Sequence, residues 1–192
     1  MDIVLERILA EHVNIIDRHV VSGNLQDTCV QENVENNVVE KTIPLRLSQL
    51  AKIKPGMYWY EDNTCSSKLN PTKHVKSIVL LVKGDMVYGD SFEQRYMLGK
   101  KISSYLQETS AKLYYPLCRP QAEDLIRLYD ERDTVNKALK KLKKLPWTEE
   151  LYWAEQVSAE SGKIVDLFDA SELPMSIEQG AYFRPMITFQ VK

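Results

Sequence analysis

An α+β protein is what this chain predicts, on three observations. Apolar residues recur at three- and four-residue steps over 3–20 and again over 120–145, the period of an amphipathic helix. Dense β-forming runs, Tyr58-Trp59-Tyr60 above all, stand between and after these stretches and are bounded by Gly, Pro, Asp and Asn. The 192 residues are 44% apolar and 27% charged, enough to bury a core without disulfides or metals and far from disordered or fibrous composition.

The first helix is read from Val4, Leu5, Ile8, Leu9, Val13, Ile16 and Val20, with Glu6, Arg7, Glu11, Asp17 and Arg18 between them. The stripe is too short for a coiled coil, yet it can face a second copy of itself. Ser22-Gly23-Asn24 ends it, and the polar stretch 26–41 reads as a linker or weak strands, which divides the chain into an N-terminal part, 1–42, and a main domain, 43–192. Lys54-Pro55-Gly56 supplies turn chemistry, Met57 to Tyr60 a strand, and Glu61-Asp62-Asn63 its end. A strand over 78–82 returns through Lys83-Gly84-Asp85 as a hairpin over 86–88, and Gly89-Asp90 is expected to form a second turn.

The stretch 91–110 is expected to be helical, with Tyr96, Ile102, Tyr105 and Leu106 buried. Pro120 opens a better helix, with Glu123 and Asp124 in its first turn and Leu125, Ile126, Leu128 and Tyr129 on its apolar side. A further helix is expected over 134–145, with Val135, Ala138, Leu139, Leu142 and Leu145 on one stripe and Lys137, Lys140, Lys141, Lys143 and Lys144 around the rest. Short strands follow at Tyr152-Trp153, 164–168 and 183–191.

Charge and motifs exclude more than they assign. Net charge is −2, so no overall field points to nucleic acid or a membrane surface. The N-terminal residues mix Asp2 and Glu6 into their apolar run, unlike a secretory leader, and the longest apolar run, Ile78 to Val82, is too short to span a bilayer. A soluble, cytoplasmic chain is expected. Gly84 and Gly89 have the separation of a phosphate loop, but Asp90 stands where its lysine belongs and would repel the anion. The three cysteines, Cys29, Cys65 and Cys118, are odd in number and without metal-ligand spacing, so they read as reduced structural thiols. A nucleophile and base could be assembled from Cys65 or Cys118 with His74, though nothing in the sequence favours it over an exposed loop histidine. His12 and His19 belong to ordinary helix packing, Glu123 and Asp124 serve the helix dipole, and the five lysines form a solvated helix face. No cofactor or metal site follows from these residues. The aromatics are the most suggestive set: Tyr58, Trp59, Tyr60, Tyr152 and Tyr182 are the candidate binding residues, since rings can platform sugars or anchor proteins as well as fill cores.

Four blocks bear a resemblance to a family. Tyr115-Pro116-Leu117-Cys118-Arg119-Pro120 followed by Glu123, Leu125 and Leu128, then Tyr152-Trp153-Ala154-Glu155, then Phe183-Arg184-Pro185-Met186, stand in the order and spacing of three blocks of the Lcl C-terminal family. That bacterial family of unknown function is named for the C-terminal domain of a collagen-like adhesin. Gly56 to Thr64 resembles the Tyr-Tyr-Ser-Asp-Gly-Thr segment upstream in many members. The likeness covers roughly 54–192; Cys118 and Arg119 break the family's Leu-Pro-Thr signature, and Ala154-Glu155 replace its Ser-Ser. It implies a C-type-lectin-like body of short curved antiparallel strands and two or three helices that binds rather than catalyses. The Glu-Pro-Asn and Trp-Asn-Asp triplets of calcium-dependent lectins are missing, so no calcium site is carried over. Arg184 and Trp153 are assigned to the scaffold, the first pairing a carboxylate and the second filling the core. The function expected is a non-enzymatic binding or assembly module for a protein or glycan, with the first helix available for homo-oligomerisation. The alternatives are a cysteine-dependent enzyme on a lectin-like fold and a structural protein of a phage or mobile element.

Overall fold

The structure, a computed structural model, describes residues 42–192; the helix expected over 3–20, the linker, Cys29, His12 and His19 lie outside the described residues. In chain order the elements are β1 (Ile43–Pro44), a 3-10 turn (Leu47–Lys52), β2 (Tyr58–Tyr60), β3 (Thr64–Ser66), β4 (Val75–Lys83), β5 (Met86–Asp90), β6 (Arg95–Leu98), a 3-10 turn (Gly99–Lys101), α1 (Ile102–Leu113), β7 (Leu117–Cys118), α2 (Ala122–Lys141), β8 (Leu151–Gln156), β9 (Ser161–Asp166), β10 (Ser171–Ser176), β11 (Gly180–Phe183) and β12 (Met186–Gln190). They build a mixed α+β fold with two open sheets, one ordered β1-β3-β2-β4-β5-β12-β7 and the other β10-β9-β8-β11-β6. Neighbouring strands are antiparallel except β8 and β11, which run parallel at Tyr152 and Tyr182.

Over their inner strands both sheets are covered on both faces, and strand alternation then decides which cluster each residue joins. α2 presents Leu125, Leu128, Val135 and Leu139 to one face of each sheet, where Tyr58, Tyr60, Ile78, Leu80, Tyr152 and Val165 meet it. The opposite face of the first sheet holds Trp59, Cys65, Val79, Val87 and Ile187 under Leu45, Ile53 and Met57. The opposite face of the second sheet packs Trp153, Ile164, Ala181 and Phe183 against Ile102 and Tyr105 of α1.

Several expectations change. The stretch 91–110 is not one helix: Arg95–Leu98 pairs with β11 as an edge strand, and α1 starts only at Ile102. Tyr96, expected buried, is 68% exposed. The two helices expected over 120–129 and 134–145 are one, because Asp130-Glu131-Arg132-Asp133 contains no breaker and the apolar stripe continues through Val135 and Leu139. The helix begins with a reciprocal capping box between Gln121 and Asp124. Gly89-Asp90 is not a turn but the end of β5. A Cβ on Gly89 would lie 2.2 Å from Ser77 Oγ and 3.1 Å from the Trp59 ring, so glycine is there for close approach. The strand expected over 183–191 is two strands in different sheets, separated at Arg184-Pro185.

Candidate functional site

The two sheets are joined where a two-strand ribbon passes from one to the other. β5 pairs with β12 in the first sheet, with Asp90 opposite Met186, and β6 pairs with β11 in the second, with Arg95 opposite Phe183. Residues 91–94 make the crossing on one strand and Arg184-Pro185 on the other. Proline has no N–H to continue the ladder, which suits a strand break at that point.

At this seam the Asp90 and Arg184 side chains are both fully buried. Arg184 Nε donates to Asp90 Oδ1 at 3.1 Å, and one terminal nitrogen lies 2.9 Å from Asp90 Oδ2. The same nitrogen donates to Leu145 O at 2.8 Å, and the other donates to Pro146 O and Gln94 Oε1, both at 3.1 Å. The guanidinium thus makes four hydrogen bonds and one further close ion-pair contact, so every one of its nitrogens is engaged. Asp90 Oδ1 also accepts the Phe92 N–H at 2.7 Å, and Oδ2 accepts Trp147 Nε1 at 2.8 Å. Saturated in this way, neither group is open to a further ligand; the pair fixes the geometry of the crossing.

From the seam a row of rings runs to the surface. The Arg184 guanidinium lies 4.7 Å over Trp147, whose ring is 5.0 Å from Tyr152. Tyr152 lies 5.9 Å from Tyr182, and Tyr182 5.5 Å from Tyr96 in an edge-to-face contact. Register places them there: Tyr152, Tyr182 and Tyr96 are cross-strand neighbours on β8, β11 and β6. Because β6 is an edge strand, the row ends in the open. Tyr96 is locked as well as exposed: its hydroxyl donates to Gly180 O at 2.9 Å and its ring lies against Gly180.

The candidate binding aromatics are not an exposed set. Tyr58, Trp59, Tyr60 and Tyr152 are all buried at 1% exposure or less. Their runs alternate between two covered faces, Tyr58 and Tyr60 toward α2 and Trp59 away from it, so every ring is enclosed whichever way it points. Tyr182 is half-buried and belongs to the ring row. Trp153 is buried, donates through Nε1 to Met97 O at 3.0 Å, and lies against Gly99 and Gly162. Asp90, Gln94, Tyr96 and Trp147 were not singled out by sequence as parts of one site, and no local pattern unites them. Lys76 was missed too; its ammonium sits 4.7 Å over the Trp59 ring and 4.4 Å over Tyr115, and burial lowers its pKa.

The thiols are poorly placed for nucleophilic work. Burial pushes the Cys65 thiol up to about 12 and the Cys118 thiol up to about 11, with Asp62 and Asp124 respectively adding to the effect. His74 is exposed in the loop before β4. Among the described residues no group of three or more His, Cys, Asp or Glu side chains is gathered to hold a metal ion, and no helix is long and apolar enough to cross a membrane. No protein-family model matches the chain, and a search of curated proteins finds no relative.

Proposed function

We propose that this chain is a non-enzymatic binding or assembly module, related to lectin-like bodies, that engages a flat apolar face of a glycan or protein through the open end of its ring row. The observation that carries the reading is Tyr96, at once 68% exposed and held by a hydroxyl bond and two neighbouring surfaces. A ring ordered before binding loses little side-chain freedom on contact, and an aromatic anchor at an interface contributes most when it is already positioned. The saturated seam behind it supports the same reading, since it supplies rigidity and leaves the buried ion pair no chemistry to perform.

Glycan-array binding and light scattering on the full chain test the proposal. Glycan binding or self-association that Tyr96→Ala weakens at least about tenfold is expected, with little change in melting temperature. A chain that stays monomeric, binds no glycan and retains no protein in a pull-down overturns the reading, as does a Tyr96→Ala variant that binds like the parent.

A further inference from the structure

A different surface concentrates charge. Lys137, Lys140, Lys141, Lys143 and Lys144 are all exposed, and no acidic residue occurs over 134–148. Some cations elsewhere stand beside carboxylates, as Lys73 does with Asp62, Lys83 with Glu123, Lys100 with Glu178, Arg132 with Glu149, and Lys163 with Glu155 and Glu172; here five lysines follow within eight residues with no acid among them. None of the five lysines forms an ion pair among the described residues. Three of them, Lys137, Lys140 and Lys144, line a groove of about 450 Å³ with Asp133, Asn136 and Pro146. Lys137 and Lys140 stand three residues apart on α2 and so share one side of it, and Lys144, past the end of the helix, lines the same groove.

The carbonyls around this groove are already engaged. The end of α2 is closed by Lys143 N–H to Lys140 O and Lys144 N–H to Leu139 O, both 3.0 Å, with Lys143 left-handed at φ 56°. This closure satisfies carbonyls whose partial negative charge would oppose an anion. Across the groove, Asn136 bonds both the N–H and the C=O of Trp147 at 2.8 Å, while the Leu145 and Pro146 carbonyls accept from Arg184. Lys144 is steadied 4.9 Å over the Phe92 ring. Asp133, the carboxylate lining the groove, stands one turn before Lys137 and offsets part of that one charge, leaving Lys140 and Lys144.

We infer that this groove docks an acidic segment of a partner protein. Charge complementarity names the partner's carboxylates, and the Pro146 lining and Leu145, 60% exposed beside it, give apolar residues between those carboxylates a place to rest. Lysines are compact point charges suited to separate carboxylates. The patch offers no arginine fork for a phosphate, and Phe92, the ring beside it, already carries Lys144, which weighs against stacked bases. The inference goes beyond the Tyr96 reading and stands without it.

Fluorescence anisotropy with the full chain and a short labelled peptide of glutamates interspersed with leucines tests it. Saturable binding at low salt is expected, weakened by physiological salt because the charges are exposed. The triple variant Lys137→Gln, Lys140→Gln, Lys144→Gln should lose about tenfold in affinity with an unchanged melting temperature, while Lys100→Gln and Tyr96→Ala bind as the parent does. No saturable binding at low salt, a triple variant that binds normally, or tighter binding of an oligothymidine or a sulfated glycan than of the peptide each overturns the inference.

Discussion

Arg184 and the lysines at the end of α2 lie near the same short segment, residues 145–147, the one buried and the others exposed, with opposite consequences. Arg184 reaches its carbonyls from within, fully buried, with Asp90, Gln94, Leu145 and Pro146 accepting its N–H groups. Lys140 and Lys144 stand outside it in water, with no carboxylate paired to either among the described residues. A cation taken from water must have its solvent replaced bond for bond, so it becomes part of the frame. A solvated cation carries almost no folding energy and stays available to an outside partner. The difference between structural and functional charge here is one of solvation and saturation, not residue type.

The sharpest way to break this comparison is at the seam. Arg184→Ala strands the Asp90 carboxylate and should cost about 3–5 kcal/mol, read as a large fall in the urea midpoint. Arg184→Lys should restore little, because a point charge cannot hold Asp90 side-on and reach Gln94 and two carbonyls at once. Trp153→Ala should cost a similar amount, about 3–5 kcal/mol, through the cavity it leaves against α1. If both alanine variants melt like the parent, Arg184 and Trp153 are not scaffold residues.

A smaller effect is expected at Gly89. Gly89→Ala should destabilise by about 1–3 kcal/mol through overpacking on Ser77 Oγ, and adding Ser77→Ala should recover part of the loss.

Titration of the buried thiols sharpens the contrast from the side of pH. Their folded pKa values lie above the ordinary 9.0, at about 12 for Cys65 and about 11 for Cys118, so the folded state retains protons that the unfolded state releases. Their contribution is intact below pH 9.0 and is lost as pH rises from there through those folded values. Denaturation midpoints measured across that range should fall less steeply for Cys65→Ala, and Cys65 in the folded chain should resist alkylation near neutral pH.

The smallest effect belongs to the exposed side. Gln at Lys137, Lys140 or Lys144, like Ala at Tyr96, should change stability by no more than about 0.5 kcal/mol each by denaturant titration. A large loss from any of the lysine substitutions would mean that those cations are structural and would erase the distinction drawn from Arg184.

Some of this was legible residue by residue. Lys54-Pro55-Gly56 reads as a turn, and Gly56 adopts φ 80° against α2, where a Cβ would lie 2.7 Å from Thr134. The hairpin through Gly84-Asp85 and the acidic first turn of α2 also follow from local chemistry. Tyr96 and its apolar neighbours fit a helical stripe as well as an edge strand, and pairing with β11, distant in sequence, decides between them. Asp90 is an analogous case: beside glycine it has turn chemistry, and the Arg184 that it pairs with is 94 residues away.

By itself the sequence determined the α+β character, the alternation of Tyr58-Trp59-Tyr60, the start of α2 and the solvated lysine side at its end, because these rest on interactions within a few residues. Only the tertiary structure decided that the inner strands of each sheet are covered on both faces, that the final strand divides between two sheets, and that Arg184 meets Asp90 while Tyr96 stays in water. Alternation tells which way a side chain points along a strand, but what lies on each side is set by elements the chain brings together from far apart.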